Sequence, residues 1–333
     1  MITDAKNIKT LQAPKTCLLT VSNTCHLKCH MCDLWKKDTR DEEMSIDDAK
    51  RFIAALQEFG GGPIELHLIG GETFVKEGIF DLITLARKNG ARVVVTTSAY
   101  SITREVAKKI VQSGLNMINF SLESLNADTH DCLRGVLGVH EKVINAIQYV
   151  AEESTSIEMA INTIITKQNI HDLIPLVEWV NSHERLSQIY FMAVMRPFGS
   201  DLDVDWYDTE RATALWPDDS ITINNVLDRL IEMKQDGAKI GNSAGQLRTF
   251  KSYFENPTNV IKQQGCRLGD DALNINAIGD AYLCFFMEKL GNIQKQSPCE
   301  MWFSEKAHQI RKNMRQCNRN CELIINCYYK DEQ

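Results

Sequence analysis

Cys25, Cys29 and Cys32 stand in the run Ser22-Asn23-Thr24-Cys25-His26-Leu27-Lys28-Cys29-His30-Met31-Cys32-Asp33, with three and then two residues between them. That spacing lets one short loop wrap thiolates around a single metal centre. Thiolate is the ligand that iron–sulfur clusters select, and a cubane [4Fe–4S] cluster takes four. A loop that offers three leaves one iron without a protein ligand, the logic of a catalytic rather than a structural site. His26 or His30 could instead complete a zinc knuckle. A second concentration lies far away: six of the eleven cysteines fall between Cys266 and Cys327.

The elements that must position these thiols read as alternating strands and helices. Strands are expected at 17–22, 65–69, 92–97, 117–122, 158–165 and 188–194, where β-branched residues cluster. Amphipathic stretches lie between them, with apolar residues recurring at three and four, as in Phe52, Leu56 and Phe59. The rhythm implies a parallel sheet joined by right-handed crossovers. Six repeats give an α/β fold, a partial (β/α)6 TIM-like barrel, with a doubly wound open sheet as the alternative. The cysteine loop and Gly70-Gly71-Glu72 then follow strands one and two, at the end of a barrel where chemistry sits. From Gly237 the rhythm stops, so residues 1–236 are read as the barrel and 237–333 as a small cysteine-rich α+β domain. There Leu273 to Cys284 reads as a β-hairpin turning at Gly279-Asp280.

A chain of 333 residues with 44% hydrophobic and 24% charged residues is that of a soluble globular protein. A net charge of −7 argues against a nucleic-acid partner held by bulk electrostatics. No apolar run is long enough to span a bilayer, and the first residues lack the apolar core of a signal peptide. Many cysteines without an export signal point to metal ligation in the reducing cytoplasm rather than to disulfides.

The cysteine run resembles the radical S-adenosylmethionine (SAM) superfamily, in which three such cysteines bind [4Fe–4S] and the amino acid end of SAM chelates the fourth iron. Under that resemblance Met31 lies near the SAM adenine. Gly70 and Gly71 let backbone approach the methionyl ammonium, and Glu72 helps orient it. Ser121 and Glu123 reach the SAM ribose or the cluster loop. Asn162 and Thr163, on strand five, are further cofactor-facing candidates; strand register decides which of the pair points inward. Arg196, just past strand six, is a candidate to hold a substrate anion, with a surface salt bridge as the plainer reading.

The tail resembles the SPASM or twitch extensions that bind auxiliary clusters. The resemblance rests on Cys266…Gly279-x4-Cys284, on Gly291-Asn292-Ile293…Trp302 and on the last cysteine group. It implies one auxiliary [4Fe–4S] cluster on Cys266, Cys284 and Cys321, with the fourth ligand drawn from Cys317 and Cys327. Four thiolates would suit a structural zinc equally well. Cys17, Cys132 and Cys299 read as ordinary buried thiols.

The implied activity is that of a radical SAM oxidoreductase. An external low-potential donor, flavodoxin or ferredoxin, would supply the electron for reductive SAM cleavage, and hydrogen would be abstracted from a substrate carbon. The first expectation for substrate is a small polar metabolite such as a sugar or aminocyclitol, because only about fifteen residues precede strand one. The alternative is a maturase that cross-links a ribosomally made peptide; a non-catalytic zinc-binding scaffold is the remote one.

Overall fold

The computed structural model describes residues 11–60, 62–200, 206–258, 266–319, 321–327 and 329–331. Six strands run in parallel: β1 (Thr16–Ser22), β2 (Glu65–Gly70), β3 (Arg92–Thr97), β4 (Met117–Ser121), β5 (Glu158–Ile165) and β6 (Leu186–Ala193). The tail adds β7 (Ala272–Ile275), β8 (Asp280–Tyr282) and β9 (Gly291–Asn292), with β7 parallel to β1 and the rest antiparallel. Sheet order is β6-β5-β4-β3-β2-β1-β7-β8-β9, so β6 and β9 are its outermost strands, they do not pair with each other, and the barrel is partial.

The crossovers are α1 (Ile46–Ala55), α2 (Ile79–Lys88), α3 (Arg104–Gln112), α4 (Ala127–Arg134) with α5 (Val139–Glu153), and α6 (Leu173–Ser182). Local chemistry starts them: Ser45 and Asp48 form a capping box on α1, and the Thr103 side chain caps α3. Their apolar stripes bury against one face of the sheet, where Ile118 and Phe120 meet Ile110, Val143 and Ile147, all essentially inaccessible. Each such side chain contributes roughly 1.5–3 kcal/mol of burial. Alternation turns Met117, Asn119 and Ser121 to the opposite, concave face, where Met117 packs with Val94, Ala160 and Tyr190 in a cluster that no helix enters. Toward the N-terminal ends of the strands this face carries charge: Arg92 bridges Glu65 (3.2 Å) and Glu158 (2.6 Å), and His67 lies 2.6 Å from Glu65.

Two regions differ from the sequence reading. Helix α4 was not expected, because Ala127-Asp128-Thr129-His130-Asp131 shows no apolar stripe; the Asn126 side chain starts it by capping Thr129 N–H. The boundary after residue 236 also falls within the barrel's own contacts. After α7 (Glu210–Leu215) and α8 (Ser220–Gln235), the backbone pairs with β6 through Ile189 N–H to Lys239 O (2.8 Å) and Gly241 N–H to Ile189 O (2.7 Å). Then α9 (Ala244–Glu255) buries Leu247 and Phe250 in the same core. The remaining helices, α10 (Leu268–Asp271), α11 (Pro298–Trp302), α12 (Glu305–Arg315) and α13 (Glu322–Asn326), surround the tail strands. Among the described residues no helix is long and apolar enough to cross a membrane.

Candidate functional site

The cysteine loop leaves the C-terminal end of β1 and is held from outside by backbone. Lys28 N–H donates to Arg134 O (3.2 Å) and His30 N–H to Leu133 O (3.0 Å), so the end of α4 serves as a splint. Gly135 permits the contact: its φ is 70°, and a Cβ there would collide with the Lys28 carbonyl oxygen. On the other side Asp33 N–H donates to Phe198 O (2.8 Å) and Phe198 N–H to Met31 O (3.2 Å). Arg211, on α7, donates to the carbonyls of Cys29 (3.4 Å), His30 and Cys32 (2.8 Å) and pairs with Asp33.

Burial pushes the Cys25 thiol up to about 12 and Cys32 up to about 11; in each case neighbouring thiols add to the rise and a backbone N–H opposes it. Those donors are Leu27 N–H to Cys25 Sγ and Leu34 N–H to Cys32 Sγ, both 3.4 Å. The Cys25 and Cys32 thiols therefore stay protonated until a cation displaces the protons, which is how thiolate sites couple metal uptake to proton release. Positive charge is already in place. Arg134 is buried, donates to Cys29 Sγ (3.8 Å) and forms an ion pair with Glu123, whose other oxygen accepts from Ile164 N–H (2.8 Å). Burial works against the Arg134 charge, and the facing Glu123 and Cys29 outweigh it and hold its pKa up. A three-thiol loop backed by N–H donors and a guanidinium fits a cluster whose net charge and sulfur hydrogen bonds the protein sets.

Gly70 and Gly71 lie directly against this loop. Gly71 N–H donates to Ser22 O and Glu72 N–H to Thr24 O, both 2.9 Å. A Cβ on Gly71 would strike the Thr24 carbonyl oxygen and one on Gly70 that of Ser22, so only glycine admits this approach. Glu72 is held by groups from β3 and its own turn. Its carboxylate accepts from Thr97 Oγ1 (2.6 Å), Phe74 N–H (3.2 Å), Ser98 N–H (2.9 Å) and Ser98 Oγ, and it is 1% exposed. Four donors fill a carboxylate. These bonds tie β2 to the end of β3.

Of the remaining candidates, Ser121 and Asn162 face the concave side as register partners, and Met31 is buried with its carbonyl tied to Phe198. Thr163 does not face a cofactor: it is fully buried on the helix side, and its hydroxyl donates to Leu122 O (2.7 Å). Glu123 pairs with Arg134, which donates to Cys29 Sγ, so it reaches the cluster loop indirectly. Arg196 is likewise committed, 3.6 Å from Glu322, donating to Ser200 O (2.9 Å) and stacked over Phe286 at 5.4 Å. It ties the barrel rim to the tail and is not a free anion holder. Arg134 and Arg211 were missed by sequence reasoning, since nothing in single arginines about a hundred and more residues away marks a contact with the loop. The local signal for Arg134 was the adjoining Gly135, a helix-ending glycine.

In the tail one cavity is lined by Cys266, Cys284, Cys317 and Cys321 together with Leu268, Phe286 and Met314. Burial raises Cys284 to about 11 and Cys321 to about 12. Four thiols lining one pocket, with Arg319 beside them, are the donor set of a cubane. Cys327 lies outside it and is exposed, because α13 carries it about 9 Å of helical rise beyond Cys321. Of the three thiols read as ordinary and buried, Cys17 is buried, Cys299 is partly so, and Cys132 is exposed on α4.

Comparison with known proteins bears on both cysteine sets. The family model of the Radical SAM superfamily matches residues 19–180, and that of SPASM, an iron–sulfur cluster-binding domain, matches 266–328. The chain is 23% identical over 96% of its length to an AdoMet-dependent heme synthase of Methanosarcina barkeri, spanning 89% of that protein. It is 26% identical over 83% of its length to the mycofactocin maturase MftC of Mycolicibacterium smegmatis, spanning 65% of it. Among solved structures, Streptococcus suis SuiB bound to S-adenosylmethionine superposes with a TM-score of 0.69 at 19% identity, over 90% of this chain and 68% of that one. These matches set the zinc scaffold aside and make the cofactors a [4Fe–4S] cluster with SAM and auxiliary iron–sulfur ligation. With a three-cysteine loop splinted at the mouth of a partial barrel and a four-cysteine pocket beside it, the chain belongs to the radical SAM superfamily of enzymes and carries a SPASM domain.

Proposed function

We propose that this enzyme is a maturase that oxidises a ribosomally made peptide by hydrogen abstraction. When bound, the cluster and SAM supply a 5′-deoxyadenosyl radical able to take hydrogen from an unactivated carbon. Cys25, Cys29 and Cys32 hold the cluster, with Arg134 and the Leu27 and Leu34 N–H groups balancing its charge. Gly70 and Gly71 give SAM its backbone approach, and Met31, Ser121 and Asn162 stand along its path. Cys266, Cys284, Cys317 and Cys321 hold one auxiliary cluster, in a domain that starts near residue 266. A low-potential donor such as flavodoxin or ferredoxin is the expected partner.

The observation that carries the substrate reading is the concave face itself. At the level of Thr96, Asn119, Ser121 and Asn162 it is polar and uncharged, and the Arg92 below is matched by two carboxylates. Such a wall suits neutral amides better than a multiply anionic substrate. Support also comes from the maturase relative MftC, and from SuiB, which has a solved structure bound to the precursor peptide SuiA. The small-metabolite expectation has no comparable support. A tetrapyrrole is the second reading, favoured by the heme synthase match along nearly the whole chain.

The test is anaerobic incubation of the reconstituted enzyme with SAM, reductant and either a short peptide encoded beside its gene or an iron tetrapyrrole. Loss of hydrogen from the peptide, seen by mass spectrometry together with 5′-deoxyadenosine, supports the proposal. Turnover of the tetrapyrrole alone overturns it.

A further inference from the structure

We propose that Asn119 is a substrate-reading residue, its carboxamide pairing with a peptide group of the bound substrate in the barrel interior; the assignment rests on the maturase reading above. Asn119 is 8% exposed, and its Oδ1 is fully buried with no hydrogen-bond partner among the described residues. A buried amide oxygen left unpaired costs free energy comparable to a lost hydrogen bond, so such a group in a native protein calls for an explanation.

Its placement supplies one. Asn119 shares the concave face of β4 with Met117 below and Ser121 above, while Ile118 and Phe120 between them face the helices. Its register neighbours are Thr96 on β3 and Ala160 on β5. Both neighbours are small, and neither is a partner of the amide oxygen. Val94 and Met117 lie one step beneath, in the small apolar cluster they form with Ala160 and Tyr190. The residue therefore sits one step deeper than Ser121 and one step above the apolar Met117.

A carboxamide offers an acceptor and donors side by side, as a peptide group does, so the two can pair with each partner's polarity matched. A carboxylate ligand would find only the donor half, and an apolar one would leave Oδ1 unpaired. The chemistry selects a neutral amide. Sites that hydrogen-bond a substrate group discriminate strongly against analogues lacking it.

The experiment uses the cluster-loaded chain with SAM, and N-acetylalanine N-methylamide as a minimal probe with two peptide groups. Saturation-transfer NMR titration should show the probe binding to wild type. Asn119→Leu and Asn119→Ala should each weaken it at least tenfold, with SAM affinity by calorimetry kept within about twofold. The melting temperature of Asn119→Leu should hold or rise, since an orphaned amide is being replaced by apolar volume. Probe affinity equal in wild type and variants, or no binding by wild type, overturns the assignment. So does a tenfold loss of SAM affinity with the probe unaffected, which moves the amide to the cofactor. A lowered melting temperature in both variants makes Asn119 structural and also overturns it. A wild-type enzyme that binds the probe through Asn119 yet modifies no peptide supports the amide site while removing the maturase reading, so the two can fail separately.

Discussion

The two cysteine sites of this molecule are built in opposite ways. The loop after β1 takes its three thiols from one stretch, Cys25 to Cys32, and borrows its support from distant elements: the end of α4, Arg134, Arg211 and the Gly70-Gly71 segment. The tail pocket takes four thiols from separate stretches and brings them together only when the β7–β8 hairpin packs beside α12 and α13. Both are compensated, the loop by Arg134 and the Leu27 and Leu34 N–H groups, the pocket by Arg319 and by Phe286 N–H to Cys284 Sγ (3.4 Å), with Leu268, Phe286 and Met314 completing the pocket wall. A site whose ligands are local can be read from spacing, but its electrostatics comes from elsewhere. A site whose ligands are dispersed declares its tertiary dependence in the ligand list itself.

The largest expected effect separates the sites outright. The Cys25→Ala, Cys29→Ala, Cys32→Ala variant should lose SAM cleavage while about four irons per chain remain, one cubane's worth. Anaerobic iron counting and 5′-deoxyadenosine assays measure both, and loss of all iron would show that the sites are not independent. Arg134→Ala comes next. It leaves Glu123 buried without its counter-charge, and breaking a buried pair costs about 3–5 kcal/mol. Chemical denaturation of the apo-protein should show that loss, and the tail irons should survive it. Stability unchanged in Arg134→Ala would mean that the splint is dispensable.

Glu72→Gln tests the same support more gently. The carboxamide keeps two acceptor positions but brings a donor against the Ser98 and Thr97 hydroxyls, so destabilisation of about 1–3 kcal/mol is expected. SAM affinity by calorimetry should fall less than tenfold; a larger fall in a fully folded variant would support the direct ammonium contact. His130 adds a pH dependence. Its Nδ1 accepts from Glu123 N–H at 3.0 Å, and burial, with Arg134 and His140 nearby, lowers its pKa to about 2. The unfolded chain takes up a proton near the ordinary histidine value of about 6.5 and the folded chain does not. Stability should thus fall as pH drops below that value, by about 1 kcal/mol per unit. His130→Asn, which can still accept the Glu123 N–H, should flatten the slope, and an unaltered slope would assign the effect to other groups. The smallest effect sharpens the tail: Cys327→Ala should retain full iron, whereas Cys284→Ala should lose the auxiliary four. Iron lost from Cys327→Ala would return that residue to the ligand set.

Much of this was legible without coordinates. The strands were readable because β-branched runs such as Val93-Val94-Val95 allow little else, and the observed β3 and β5 have the expected bounds. Helix α4 was illegible because its face toward the loop is made of backbone carbonyls, which leave no mark in residue types. Asn162 and Thr163 were equivalent on paper. Register put Thr163 among the helices and Asn162 on the concave face.

By itself the sequence determined what is local and chemical: a three-thiol loop, a glycine pair that admits close backbone approach, the alternation of strand and helix, and a cysteine-rich tail. Tertiary structure alone decided which groups are spent and which remain free. Glu72, Glu123 and Arg196 look available in the sequence, yet each is engaged by partners that include a residue 11 to 126 positions away. Hydrogen-bond satisfaction is a property of three-dimensional neighbourhood, which residue types and spacing do not display. The same accounting leaves Asn119 with its oxygen unspent.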